Sequence, residues 1–188
     1  EITPLENGIP DPDSAFEIAC DTLLLSVGLI PENELSKQAG VAINPQTNGA
    51  EVDSTMMTSV PGIFSCGNVL HVHDLADYVA EEAQRTGRYA VDYLNDRTPA
   101  QQIRVKAGAN VRYVAPGKIN TESPDKLYFR PLVVKNNAKV VVKVDNRIVK
   151  ERKVNHVQPS EMVSLTLSKK DAEAINATDD SVMEVSVQ

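Results

Sequence analysis

Apolar and polar positions follow different rules in the two halves of the chain. Beyond residue 97 the pattern is a succession of short, Val-rich runs of period two. These are Val111–Val114, Lys126–Val134, Ala138–Val144, Arg147–Val154, Met162–Leu167 and Val182–Val187. Such alternation marks strands with one buried face. Asp145-Asn146 lies between two runs, and both residues tolerate positive φ, which predicts a two-residue hairpin turn. Ser168-Lys169-Lys170-Asp171 predicts a capped helical turn before Ile175. About six or seven strands in roughly 85 residues predict an all-β, immunoglobulin-like antiparallel sandwich, with a small open barrel as the alternative.

The first half mixes short apolar runs with one long helical period. Phe16–Ile18 and Thr22–Val27 read as strands, the second a continuous apolar run suited to burial on both faces. Gly28 and Pro31 end it. Glu32–Gly40 predicts a short helix or turn with Gly40 as its stop. Val41–Ile43 and Ala50–Val52 read as short strands around a Pro45–Gly49 turn, and Gly62–Ser65 as another. Asp74–Leu94 is the clearest helix, with Leu75, Val79, Ala83, Ala90, Val91 and Leu94 as its apolar stripe. Asp96-Arg97-Thr98-Pro99 breaks it, so the domains expected are 1–97 and 98–188.

Charge divides at the same place. Residues 1–97 hold four Lys/Arg against 16 Asp/Glu, a net of −12; residues 98–188 hold 15 against 10, a net of +5. The whole chain of 188 residues carries −7, which argues against nucleic-acid binding. Its 41% hydrophobic and 24% charged content is that of an ordinary soluble globular protein. No apolar run approaches the roughly 20 residues of a membrane span, and no signal peptide is expected. Cys20 and Cys66 form no redox or zinc pattern, so a cytoplasmic location is expected. The chain opens on Glu1 in what reads as the middle of a strand-and-turn region, and a fragment is expected.

Two segments carry more specific information. One is Asp21-Thr22-Leu23-Leu24-Leu25-Ser26-Val27-Gly28-Leu29-Ile30-Pro31. The other is Thr58-Ser59-Val60-Pro61-Gly62-Ile63-Phe64-Ser65-Cys66-Gly67-Asn68-Val69, with Val52-Asp53 between them and the long helix after. In this order they resemble the C-terminal part of the pyridine nucleotide-disulfide oxidoreductase class of flavoproteins. The resemblance covers about residues 15–97. It implies an α/β, Rossmann-like FAD/NAD(P)-binding region, present in part, followed by the sandwich. In that class the Gly-Asp turn meets the flavin ribityl and pyrophosphate, and the next helix start faces the isoalloxazine. The resemblance therefore assigns cofactor binding to Gly67, Asn68, His73, Asp74 and Leu75. Asn68 replaces the usual Asp and keeps hydrogen-bonding capacity without charge.

The resemblance also shows what is missing. The class cradles two pyrophosphates in G-x-G-x-x-G loops, yet none of the nine glycines here forms a G-x-G. A redox CxxxxC is absent as well. The FAD and NAD(P) sites of an intact parent are then expected to need sequence not present here, and this chain alone to be inactive.

The remaining candidates are weaker. His71-Val72-His73-Asp74 places two imidazoles two residues apart, a metal-pair spacing. Filling the loop or lining the flavin pocket is the preferred reading, a proton-transfer role is a further option, and no metal is expected. Cys66 reads as a small buried residue and Cys20 as core. Tyr113, Tyr128 and Phe129 read as sandwich core. Lys150-Glu151-Arg152-Lys153 and Lys169-Lys170 read as solvated faces, with docking onto the acidic half as an option; His156 carries no signal.

The leading expectation is the C-terminal piece of an FAD-dependent, NAD(P)-linked oxidoreductase that moves hydride between nicotinamide and flavin. The Cys66–Val79 run looks like the amine- and glycerol-phosphate-oxidising branch, which often acts with partner subunits, and a homodimer or a partner oxidoreductase subunit is expected. The alternatives are a non-catalytic interaction module with a degenerate flavoprotein remnant, and an electron-transfer subunit.

Overall fold

The computed structural model describes residues 1–6 and 9–188. In chain order, β1 (Leu5–Glu6) and β2 (Ile9–Pro10) pair antiparallel, followed by α1 (Glu34–Gln38) and α2 (Ala76–Leu94). Then come β3 (Gln102–Ala107), β4 (Val111–Ala115), β5 (Lys118–Asn120), β6 (Lys126–Pro131), β7 (Lys135–Val144), β8 (Arg147–Val157), β9 (Val163–Thr166), α3 (Lys169–Glu173) and β10 (Val182–Val187). The chain is thus a mixed α/β part followed by a mostly β part.

The β part builds two sheets, β5-β3-β10-β7-β8 and β4-β6-β9. Period-two positions meet between them. Val140, Val142, Val144, Met183, Val185 and Val187 of the larger sheet are buried against Leu127, Phe129 and Leu165 of the smaller. Each such side chain contributes about 1.5–3 kcal/mol on burial. Asp145 and Asn146 turn the β7–β8 hairpin at φ 47° and 68°, as their sequence predicts. Asp145 also anchors that turn to β10: its Oδ2 accepts from Ser181 Oγ at 2.6 Å and its Oδ1 from Val182 N–H at 3.1 Å. Ser168 and Asp171 close the expected capping box on α3.

This part is not wholly antiparallel. β10 runs parallel to β3, with Val182 opposite Arg104, and antiparallel to β7. β3 alternates as a strand should but sits against the Pro99 break, and β5 has only three residues, so neither stands out in the sequence.

The first half differs more from its pattern. Leu23, Leu24, Leu25 and Val27 are 74–89% exposed and lie in no strand. A strand buried on both faces needs neighbours at its edges and layers above and below; among the described residues none reaches this run. Phe16 makes a lone bridge to Ile2. The three short strands expected at residues 41–65 are likewise isolated bridges, Ile43 to Ala50, Val52 to Thr58 and Met57 to Phe64. They still enclose a small core of Val41, Ala50, Val52, Met56 and Leu70. Gly40, at φ +76°, ends α1 as predicted, its N–H donating to Lys37 O at 3.0 Å. Cys20 is exposed rather than core.

α2 lies as expected, but its face is reversed. Leu75, Val91 and Leu94 are exposed, whereas Glu82, Arg85 and Thr86 are buried. The inward face carries polar groups because the β part supplies partners for them. Tyr89 Oη donates to Asp125 Oδ2 at 3.0 Å, Arg85 pairs with Asp125 at 3.5 Å, and Lys126 pairs with Glu81. The charged contacts between the two halves thus include Asp125, Lys126 and Arg130, and Gln102 adds hydrogen bonds to Asp53 and Ser54. Lys150 pairs instead with Asp171 inside the β part. No helix among the described residues is long and apolar enough to cross a membrane.

Candidate functional site

The loop between the small core and α2 holds the residues of interest. Ser65 N–H donates to Met56 O at 3.0 Å, and the chain then turns through a 3-10 segment at Gly67–Val69. Gly67 sits at φ +70°, and a Cβ there would lie 3.2 Å from Val79 Cγ1. Both features favour glycine. Asn33, buried, pins the far side of the loop: its Nδ2 donates to Val69 O at 2.8 Å and Asn48 O at 2.9 Å.

α2 reaches back into this loop with Glu82. Glu82 Oε1 accepts the Gly67 N–H at 2.6 Å and lies 3.2 Å from His73 Nε2; Oε2 lies 3.0 Å from His71 Nε2. All three side chains are inaccessible to solvent or nearly so. Burial alone would raise the Glu82 carboxyl, but the two imidazoles and the Gly67 amide hold it down to about 2. Burial pushes His71 the other way, below the usual imidazole range, against the pull of Glu82. His71 Nδ1 lies 3.3 Å from Tyr113 Oη, and Tyr128 packs its ring against both histidines at 5.5–5.6 Å. Tyr113 and Tyr128 thus line this junction, while Phe129 alone of the expected trio enters the sandwich core.

The start of α2 is open. Leu75 precedes the helix with no side-chain cap and is 55% exposed. Asp74, beside it, is held by the β part: its Oδ1 accepts from Arg130 at 3.0 Å and its Oδ2 from Met162 N–H. Arg130 also donates to Val72 O at 3.1 Å.

The structure therefore gathers Gly67, Asn68 and His73 into one hydrogen-bonded knot, since Asn68 Oδ1 accepts the His73 N–H at 3.1 Å. It leaves Asp74 and Leu75 at the helix mouth. Glu82 and Arg130 belong to the same region and escaped the sequence reading, and Tyr128, read there as sandwich core, lies here instead. The signal for Glu82 was the three-to-four-residue recurrence of Tyr78, Glu82, Arg85 and Tyr89, a helix face with polar members. Cys66 is half-buried, and burial raises its thiol above the usual range, so it offers no activated thiolate.

Residues 9–87 match the family model described as pyridine nucleotide-disulphide oxidoreductase. Those residues are similar to that family. The family is one of FAD-dependent NAD(P)H oxidoreductases. The family region contains the Gly67–Leu75 loop and the first half of α2, Glu82 included.

Distant relatives agree. A "Nitric oxide reductase FlRd-NAD(+) reductase" of Salmonella heidelberg (strain SL476) is 28% identical over 123 residues, 58% of this chain and 32% of that protein. A "Ferredoxin--NADP reductase" of Leuconostoc mesenteroides subsp. mesenteroides is 35% identical over 66 residues, 34% and 19% of the two chains. The Salmonella typhimurium (strain LT2) protein of the first kind is 30% identical over 98 residues, 50% and 25%. The chain thus spans no more than about a third of the length of these relatives. No solved structure matches it.

The uncapped first turn of α2 presents backbone N–H groups at an exposed position, and Asn68 Nδ2 makes no hydrogen bond among the described residues. Both fit one polar edge of a flavin nucleotide. The Gly67 amide does not, because Glu82 occupies it. Nothing in the chain fits the pyrophosphate, for want of a glycine-rich loop.

Proposed function

We propose that residues 1–97 supply the flavin-facing contacts of an FAD-dependent, NAD(P)-linked oxidoreductase, and that residues 98–188 are a β module, of immunoglobulin-like type, that braces them. The observation carrying this reading is the uncapped α2 start beside Asn68, inside a region that matches a flavoprotein family. Bound FAD supplies the redox group that exchanges hydride with nicotinamide.

This chain's residues bind and orient. Asn68 Nδ2 donates to a ribityl hydroxyl or phosphate oxygen. The first-turn N–H groups of α2 face an electron-rich ring edge, where a positive helix end favours negative charge. Arg130 neutralises Asp74, so that this end stays positive. The pyrophosphate contacts come from outside these 188 residues, and the isolated chain is inactive. Both cysteines are free, in keeping with a reducing, cytoplasmic compartment. A second copy or a partner oxidoreductase subunit completes the assembly.

Asn68→Ala, made in a longer protein that joins these residues to glycine-rich phosphate loops and binds FAD, tests this reading. Loss of one hydrogen bond of about 1.4 kcal/mol weakens FAD about tenfold, read by flavin fluorescence. Unchanged affinity in a folded variant would remove Asn68 and the loop from the flavin site. A second reading, a non-catalytic interaction module, draws on the exposed Leu23–Leu25 run, which offers apolar surface to a partner.

A further inference from the structure

Glu82 is a fully buried carboxylate without a cationic side chain bonded to it. Its partners among the described residues are His71 Nε2, His73 Nε2 and the Gly67 N–H. The two guanidinium groups nearby are taken: Arg85 pairs with Asp125 and Arg130 with Asp74. A buried carboxylate held only by two imidazoles and one amide N–H is costly in a low-dielectric interior unless a cation offsets its charge.

The geometry suits a metal cation. One donor atom from each of His71, His73 and Glu82 lies within 4.8 Å of the others. The two imidazole nitrogens stand 3.0 and 3.2 Å from the carboxylate oxygens. Metal–ligand bonds of about 2.0–2.2 Å in a tetrahedron give donor–donor edges of about 3.4 Å, so only a small rearrangement centres an ion. The surroundings are those of a supported site. Tyr113 Oη sits 3.3 Å from the outer nitrogen of His71 and can fix its tautomer. The Tyr128 ring covers both imidazoles and excludes water.

We propose that His71, His73 and Glu82 bind a single divalent transition-metal ion of the zinc type, in a closed structural site joining the α2 loop to the β part. Two nitrogens and a carboxylate favour zinc-like ions over calcium or magnesium, which prefer all-oxygen shells. Glu82 supplies the fourth position by binding through both oxygens. The spacing of His71 and His73 was visible in the sequence, but the third ligand, on α2, was not. The site does not depend on flavin.

The test is titration of the metal-stripped 188-residue chain with Co2+ and then Zn2+, followed by visible absorption and by nitrogen-detected NMR of the histidine rings. The expected result is one equivalent of Co2+ with the intense visible bands of four-coordination, displaced by Zn2+. The ring signals of His71 and His73 move and those of His156, which is exposed, do not. Glu82→Gln weakens binding by more than about 100-fold, while His156→Ala leaves it unchanged. If Glu82→Gln fails to fold, the wild-type ring signals still decide. Absence of binding by the folded chain, binding that shifts only His156, or two-nitrogen protonation of His71 or His73 that persists with excess Zn2+ would each overturn the proposal. The last would show that an imidazolium supplies the missing positive charge.

Discussion

Arg130 of β6 holds Asp74 at the mouth of α2, nitrogen to oxygen 3.0 Å apart, and with the same guanidinium donates to Val72 O. One β-part side chain thereby fixes both ends of the short segment that leads into the proposed flavin-facing helix. The pair is partly covered, with side-chain exposures of 14% and 31%, so solvent screens it only in part.

Arg130→Met should therefore loosen the two halves from each other. Losing charge-assisted hydrogen bonds at a partly buried position costs about 2 kcal/mol. The measurement is the urea midpoint at neutral pH. A change below a few tenths of a kcal/mol would mean the junction is held elsewhere.

Gly67→Ala should be similarly harmful for a different reason. The residue sits at φ +70°, and its new Cβ would press on Val79 Cγ1. Left-handed backbone costs a residue with a Cβ about 1–2 kcal/mol, before any movement of Val79. Equilibrium unfolding reads this directly, and a neutral substitution would contradict the loop conformation.

Acid should weaken the cap of α3. Some burial raises the Asp171 carboxyl, but the Lys150 ammonium and Ser168 outweigh it and hold the group below the usual range. A depressed carboxyl contributes stability that is present above its unfolded pKa of about 3.9 and is lost as pH falls through the folded value. Asp171→Asn should remove about 1 kcal/mol at pH 7 and flatten the stability curve below about pH 4. Thermal melts across that range check it; an unchanged acid limb would count against the Lys150–Asp171 pair.

Leu24→Lys should leave stability within about 0.5 kcal/mol, because Leu24 is 89% exposed and touches no core. It should also reduce self-association, since it interrupts a contiguous apolar run. A loss of several kcal/mol would show that this run is buried in the folded chain.

The β part was largely legible because period-two patterning, the Asp145-Asn146 turn and the Ser168 cap all point to the same local structure. Each depends on neighbours in sequence. The parallel pairing of β10 with β3 depends on topology, which patterning does not encode. α2 was legible as a helix, but its orientation was not. Apolar periodicity chose Leu75, Val91 and Leu94, whereas Glu82 and Arg85 are inside because partners outside the helix, Gly67, His71, His73 and Asp125, satisfy them. The Gly67-Asn68 turn was found through family resemblance, and its link to Glu82 only through the fold.

The central claim is that this chain carries ring-facing flavin contacts and no pyrophosphate cradle. Fluorescence titration of FAD into the purified 188-residue chain tests it most directly, with NAD(P)H oxidation followed in the same samples. The account predicts no saturable quenching and no oxidation. Stoichiometric, saturable FAD binding would contradict it, since the pyrophosphate would then have found partners that no glycine-rich loop provides.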